Sequence, residues 1–447
     1  MPVLNAIRAL MPARRTIRIG VTGLARSGKT SLLTSLAVNL MAAGRGCPAL
    51  PALSTRLAGA RLGVRLSPSE ASDLPRFDAL LKAQSLAQNP PHWPSPTDAT
   101  SLLALDIDIH RPASWRGSLK PSRLRLEFLD YPGEWLLDLP LLAEDFTTWS
   151  QTTLMALHDI PEAAPFLAFH RSLPASVAAS DAVAETGHGL YVACLRALQA
   201  KGWATLQPGR FLMPAPGAAP PWMTFFPMTG ASRLQALLAQ RYAAYVEAAR
   251  NTLANPGFAG VSRLVVLADM LSALHAGPAA FANQAQALGA VAQALQRPTA
   301  LGFLPSWLRQ RLAIGGLTRV AFAATKADHV ARAQRANLKA LVHHLTAMPA
   351  RTATASFALA SIACTEDFVW TLEGRPVSAV RGHVPGQGLV RSYPGEVPGE
   401  RPHLAWWTHD FLSLPAFSPK RLEPDGRGAI GHLALDELLV FLLEDIL

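Results

Sequence analysis

The chain has 447 residues, 50% hydrophobic and 16% charged, enough for two or three domains and too apolar for a largely disordered protein. Its net charge of +10 is carried almost wholly by Arg, since only seven of 41 basic residues are Lys, and its mean hydropathy is +0.18. No stretch reaches the roughly 18 uninterrupted apolar residues of a spanning helix, and Cys47, Cys194 and Cys364 are odd in number with no CxxC pair. A helical membrane protein and a disulfide scaffold are thereby excluded, a zinc ribbon has no support, and a reducing, cytoplasmic setting is expected.

Residues 1–15 form an N-terminal arm in which Val3, Leu4, Ile7, Leu10 and Met11 recur at helical spacing among Arg8, Arg14 and Arg15. It reads as a docking helix or frayed arm, or as a weak membrane-surface contact, and it lacks a signal-peptide core. A β-branched run from Thr16 to Thr22 stops at Gly23, and Lys29 to Met41 carries Leu32, Leu33, Leu36 and Leu40 at helical spacing, which makes a βα unit. A proline-rich, partly helical excursion follows, about 42–96. Two alternating segments, Leu103 to Ile109 and Leu124 to Phe128, are joined by a connector of about a dozen residues, too short for a crossover helix. They therefore predict an antiparallel pair whose second strand runs into Asp130.

Residues 151–257 predict a mainly helical insertion. Arg263 to Ala268 and Leu317 to Ala324 predict parallel core strands on either side of a helix centred on Ala279 to Leu295, and Ala355 to Ala360 a last strand. Residues 366–447 form a Pro- and Gly-punctuated extension closing in a helix with Leu435, Leu438, Leu439, Leu442 and Leu443 on one face. The expected fold is α/β: a P-loop NTPase, GTPase-like mixed sheet made of residues 16–150 and 258–365 with the helical insertion between them.

The segment Gly23-Leu24-Ala25-Arg26-Ser27-Gly28-Lys29-Thr30 matches G-x-x-x-x-G-K-[ST] between a strand and a helix, as a phosphate-cradling loop requires. Its glycines let successive N–H groups turn inward on phosphate oxygens, with Ser27, Lys29, Thr30 and Ser31 at the helix N-terminus. Lys29 would reach the β and γ phosphates and Thr30 would ligate Mg²⁺. Downstream, Asp130-Tyr131-Pro132-Gly133 supplies D-x-x-G, with Asp130 supporting the metal and the Gly133 N–H sensing a γ-phosphate. Thr325-Lys326-Ala327-Asp328 then matches [NT]-K-x-D after a core strand: the Asp328 carboxylate can accept guanine N1–H and N2–H₂, a donor pair adenine lacks. Ser361-Ile362-Ala363 stands where a backbone N–H would meet guanine O6, with Cys364 in place of the usual lysine.

Other residues carry two readings each. Thr97 and Thr100 both qualify as the mobile threonine that caps γ-phosphate and Mg²⁺, and Thr97 is preferred; either is also an ordinary cap. Glu134 is set to orient an attacking water or merely to sit at a helix N-terminus. Arg26 is a cis-acting charge stabiliser or a solvated side chain, and Asp269, at a strand's carboxyl edge, is functional or a helix cap. The basic residues are scattered without aromatic interleaving, so nucleic acid is not indicated as a partner. The pair His343-His344 reads as helix surface rather than metal ligand.

With these motifs assembled, the chain resembles the bacterial YcjX-like P-loop GTPase family. The resemblance rests on Val21 to Thr30, the run Phe128 to Leu136 with its Tyr-Pro-Gly-Glu-Trp core, Leu206 to Phe211, Ala276 to Pro278 with Phe281, Ala323 to Val330, and Phe441 to Asp445. It implies a cytosolic GTPase core with added helical regions, sometimes described as an ATPase and linked to stress responses. The function expected is Mg²⁺-dependent binding of GTP and GDP with slow hydrolysis, an unidentified protein partner supplying any arginine finger. The alternatives are an ATPase in which Thr325 to Asp328 is accidental, and a nucleotide-stabilised scaffold without significant turnover.

Overall fold

The structure is a computed structural model that describes residues 15–23, 27–67, 74–95, 100–111, 123–130, 138, 141, 144–203, 206–212, 220–253, 261–296, 317–347, 352–408, 412–423 and 428–447. The chain divides into two compact units. One comprises residues 1–131, 260–275 and 316–447, the other 132–259 and 276–315, so the extension after 366 belongs with the first unit and residues 276–315 with the second.

In the first unit a seven-stranded sheet has the order β2-β3-β4-β1-β5-β6-β7, with β1 Arg15–Gly23, β2 Arg61–Leu66, β3 Ser101–His110, β4 Arg123–Asp130, β5 Val261–Ala268, β6 Arg319–Ala324 and β7 Ala353–Ala358. The pairs β4-β1-β5-β6-β7 are parallel, while β2-β3 and β3-β4 are antiparallel. The expected mixed sheet and the antiparallel pair ending at Asp130 are both present. β1 buries Ile17, Ile19 and Val21 on one face and Gly20 and Thr22 on the other, as a central strand covered on both faces requires. The chain leaves β1 to build one flank and returns to its other side at β5, which makes the end of β1 the point where strand order reverses.

The helix Lys29–Gly44 follows β1 and packs against β2 and the helix Ala79–Ala87. The closing helix, Leu435–Leu443, buries the five predicted leucines in the same core. Its end is gripped by basic side chains from the sheet: Arg263 of β5 donates to the Leu442 carbonyl and to both oxygens of Asp445, and Arg319 of β6 pairs with Glu444. Asn39 of the first helix both donates to and accepts from the backbone of Ile430, fixing the segment that leads into the closing helix.

An alternating antiparallel strand ordinarily turns its polar side to water. β4 does not: Arg125 is 2% exposed and Glu127 1%. Glu127 accepts from Arg125 Nε at 3.0 Å and, through its other oxygen, from Arg18 Nη2 at 2.8 Å. Glu127→Gln removes the carboxylate shared by Arg18 and Arg125 and leaves buried Arg125 with Asp106 Oδ1 at 3.9 Å as an ion-pair partner, so unfolding free energy is expected to fall by about 3 kcal/mol, read by denaturant titration.

A second, three-stranded antiparallel sheet, order β10-β9-β8, lies in the extension: β8 Thr365–Leu372, β9 Arg375–Val384 and β10 Gly388–Ser392.

The second unit is helical among its described residues, with helices Phe146–Leu157, Ala164–Ser172, Asp181–Ala200, Arg233–Leu253 and Pro278–Gln296. Aromatic rings fill it: Trp149 stacks on Tyr242 at 5.2 Å, and Phe225 meets Phe211 edge-on at 4.8 Å. Gly187 is required where a Cβ would lie 2.2 Å from the Phe226 ring. Asp138 is buried among these groups, accepting from Gly209 N–H at 2.8 Å and from the Tyr245 hydroxyl at 2.5 Å. Burial pushes its carboxyl up to about 6, against the lowering effect of those two donors. The neutral acid is thus favoured by folding, and the stability it contributes is full below the unfolded value near 4 and lost as pH rises through about 6. On lowering pH from 7 to 4, wild-type stability should rise by about 2 kcal/mol relative to Asp138→Asn, measured as the difference between paired denaturation curves.

No helix among the described residues is long and apolar enough to cross a membrane.

Candidate nucleotide-binding site

Parallel register brings the predicted motifs to one edge of the sheet. Val21 of β1 pairs with Asp130 at the end of β4, Gly23 with Leu267 of β5, and Ala268 with Ala324 of β6, directly before Thr325. Thr325 N–H donates to the Ala268 carbonyl, Leu359 N–H to Ala324, and Ala327 N–H to Leu359, so the turn after β6 is stitched to both neighbours.

The phosphate half is built on two glycines. A Cβ at Gly23 would stand 2.6 Å from the Leu267 carbonyl oxygen, a backbone atom that cannot yield. Gly28 adopts φ 90°, the left-handed conformation from which the helix Lys29–Gly44 starts. Lys29 donates its ammonium to the Gly23 carbonyl, and Thr30 and Ser31 occupy the helix's first turn, half-buried. Around this edge the hydroxyls of Thr22, Ser27, Thr100 and Ser101 are buried without a hydrogen-bond partner. Such groups cost about 1–3 kcal/mol each when unsatisfied, which is the mark of a place where a polar ligand completes the bonding. Ser101 pairs in register with buried Asp130. Leu24 to Arg26, Thr97, Gly133 and Glu134 lie outside the described residues; the alternative threonine, Thr100, lies within them, adjoining Ser101.

The base half is formed by the turns after β6 and β7. Lys326 is left-handed at φ 59°, and its ammonium pairs with Asp269 and reaches Ser272 Oγ at 3.3 Å. Asp269 also caps the helix Met270–His275 through Ser272 N–H at 3.1 Å, as the helix-cap reading of that residue expects. Asp328 is 2% exposed. Its Oδ2 accepts from Cys364 N–H at 2.7 Å and from the Cys364 thiol at 3.1 Å, and its backbone carbonyl accepts from Thr365 Oγ1. Cys364, which stands where a lysine was expected, is therefore the partner of the Asp328 carboxylate. Of the predicted O6 donors, Ala363 is withdrawn, because its N–H already donates to Gly431 at 2.7 Å, leaving Ser361 and Ile362.

Two neighbours of this turn had a weak sequence signal or none. His329 adjoins Asp328 and turns its Nε2 to 3.6 Å from Cys364 Sγ, yet a lone His in sequence says nothing of this. Arg335, one helical turn further, donates to the Ala327 carbonyl and ties the turn to Asp367 of β8.

A central parallel strand delivering a G-x-x-x-x-G-K-T turn into a helix, flanked on one side by the antiparallel trio β2-β3-β4 and on the other by three parallel strands, defines the GTPase-like P-loop α/β fold. The chain belongs to the YcjX-like family, DUF463, whose pattern it matches over residues 17–447. It is 32% identical to a protein of Escherichia coli named Ras-like GTPase YcjX, over 96% of each chain. It is also 29% identical to a protein of the same name from Shewanella oneidensis, over 97% of this chain and 95% of that one.

Proposed function

We propose that this chain binds GTP and GDP with Mg²⁺ at the sheet edge and hydrolyses GTP slowly to GDP, as a switch read by a partner protein in a bacterial stress response. The observation that carries the reading is the Thr325–Asp328 turn leaving β6, two strands from the P-loop strand and on the same edge. Only a guanine base rewards a buried carboxylate there with two adjacent donors. The relatives' name, Ras-like GTPase, supports the same base.

The residues fit nucleotide and metal. The unpartnered hydroxyls of Ser27 and Thr22 suit phosphate or metal-bound water, and a Cβ at Gly23 would fill the cradle. Thr30, Asp130 and Thr97 would hold Mg²⁺, with Thr100, which lies among the described residues, the alternative to Thr97 as the capping threonine. Bound Mg²⁺ supplies positive charge against the β and γ phosphate oxygens. Lys29 exchanges the Gly23 carbonyl for those oxygens, the loop N–H groups hold the bridging charge, Gly133 senses the γ-phosphate, and Glu134 orients the water. Hydrolysis is slow because Arg26 is the only arginine of the loop and any further compensating charge comes from the partner.

Purified protein should bind a fluorescent GDP at least about tenfold more tightly than the matching ADP. Equal or inverted affinities make Thr325 to Asp328 accidental and return the chain to an ATPase; tight GDP retention without Mg²⁺-dependent turnover makes it a scaffold.

A further inference from the structure

Asp328, His329 and Cys364 bring three different metal-ligating atoms together in the base half of the site, all within 4.8 Å of one another. Asp328 Oδ2 lies 3.1 Å from Cys364 Sγ, which lies 3.6 Å from His329 Nε2. A tetrahedral zinc-class ion with metal–oxygen and metal–nitrogen distances near 2.0–2.1 Å and metal–sulfur near 2.3 Å sets its ligand atoms roughly 3.3–3.6 Å apart. The two separations from Cys364 Sγ stand near that spacing, and the third pair, Asp328 Oδ2 and His329 Nε2, lies within 4.8 Å.

We propose that these residues bind one divalent cation of the zinc class, and that its presence competes with the guanine base for Asp328. The competition rests on the base-recognition reading; the metal site does not.

The chemistry of the set is selective. A thiol and an imidazole beside one carboxylate favour a borderline-soft ion over Mg²⁺ or Ca²⁺, which prefer oxygen. The scaffold is already held. Cys364 N–H and Thr365 Oγ1 bond to Asp328, Arg335 Nε to Ala327, and the Phe417 ring packs edge-on to His329 at 5.3 Å. Burial lowers the pKa of His329, which keeps its ring neutral and its lone pair available. Burial and the neighbouring Asp328 carboxylate raise that of Cys364, so the free site holds a thiol. Binding therefore forms a metal–sulfur bond as the S–H bond breaks and one proton leaves to solvent. Three protein ligands leave a fourth position for water. Recognition of guanine N1–H and N2–H₂ needs both oxygens of Asp328 in the plane of the base, and a cation on Oδ2 takes one of them.

The test is titration of the nucleotide-free full chain with Co²⁺, whose thiolate-to-metal charge-transfer band and tetrahedral visible bands report sulfur ligation. We expect one equivalent with both signatures, displaced by Zn²⁺, retained in Cys47→Ser and Cys194→Ser, absent in Cys364→Ser, and weakened at least about tenfold in His329→Gln. Folding of each variant is checked by circular dichroism, and the two variants at the site stand in for one another. Absence of a thiolate band, or its survival in folded Cys364→Ser, overturns the metal site. Saturating GDP should weaken Co²⁺ binding at least about tenfold; an unchanged Co²⁺ affinity in protein shown to hold GDP overturns the competition. Failure of metal-free protein to bind GDP overturns the guanine reading instead, and the cobalt band then stands by itself.

Discussion

Lys29→Ala should lower the affinity for GTP and GDP by about 100-fold, the equivalent of losing one strong charge-assisted contact to phosphate, while leaving the fold intact. The contrast comes from what Lys29 does in the absence of nucleotide. Its ammonium donates to the Gly23 carbonyl, within the loop, and it is half-buried, so truncation removes one local bond and opens no cavity in the core. Stability should change by less than about 1 kcal/mol. Gly23→Ala gives the reverse pairing of effects. Its Cβ meets the Leu267 carbonyl at 2.6 Å and Ser27 Oγ at 2.5 Å, so either the end of β1 or the loop must move. Binding is then lost together with stability. Equilibrium titration with a fluorescent GDP, set beside thermal unfolding of both variants, separates them. Unchanged GDP affinity in Lys29→Ala would mean that the loop does not hold phosphate.

Where the covalent chain itself imposes a conformation, the sequence was readable. Gly28 must be left-handed and Gly23 must lack a side chain, so the P-loop announces itself in eight residues. The closing helix was equally plain, because its five leucines share one face. β2 was hidden: Leu62, Val64 and Leu66 alternate properly, but they lie within a proline-rich region that reads as an excursion. The sheet β8 to β10 also carried a signal. Glu373 and Gly374, both at positive φ, form a two-residue turn between Leu372 and Arg375, a hairpin obscured by the surrounding Pro and Gly. Burial of Arg125 and Glu127 was not legible, since alternation cannot say what covers the polar face.

The base half shows the same limit at the level of single residues. Thr325 to Asp328 was legible because a short motif follows a buried strand. The partners of that motif come from far along the chain: Asp269 for Lys326, and Cys364 for Asp328. Cys364 was a mismatch in the sequence and becomes a hydrogen-bond donor in the fold. Part of the Arg excess is explained likewise, by Arg18, Arg263 and Arg319, which pair with acidic groups on distant segments.

Asp328→Asn should exchange guanine for xanthine, and the Cys364 contact determines how. In the wild type, Oδ2 accepts from both the N–H and the thiol of Cys364, so whatever atom replaces it must also accept. An asparagine therefore turns its carbonyl oxygen toward Cys364 and leaves its NH₂ at the Oδ1 position, facing the ligand. Against guanine N2–H₂ that NH₂ opposes donor to donor. Xanthine carries a carbonyl at the same ring position and accepts from it. A site built for a polar group rejects a mismatched one by up to about 10⁴-fold, so GDP affinity should fall by at least about 100-fold and XDP affinity rise, reversing the preference. Fluorescent GDP and XDP titrations on the same preparation give the ratio directly. If the variant keeps the GDP affinity of the wild type, Asp328 does not read the base, and its burial against Cys364 is a structural contact alone.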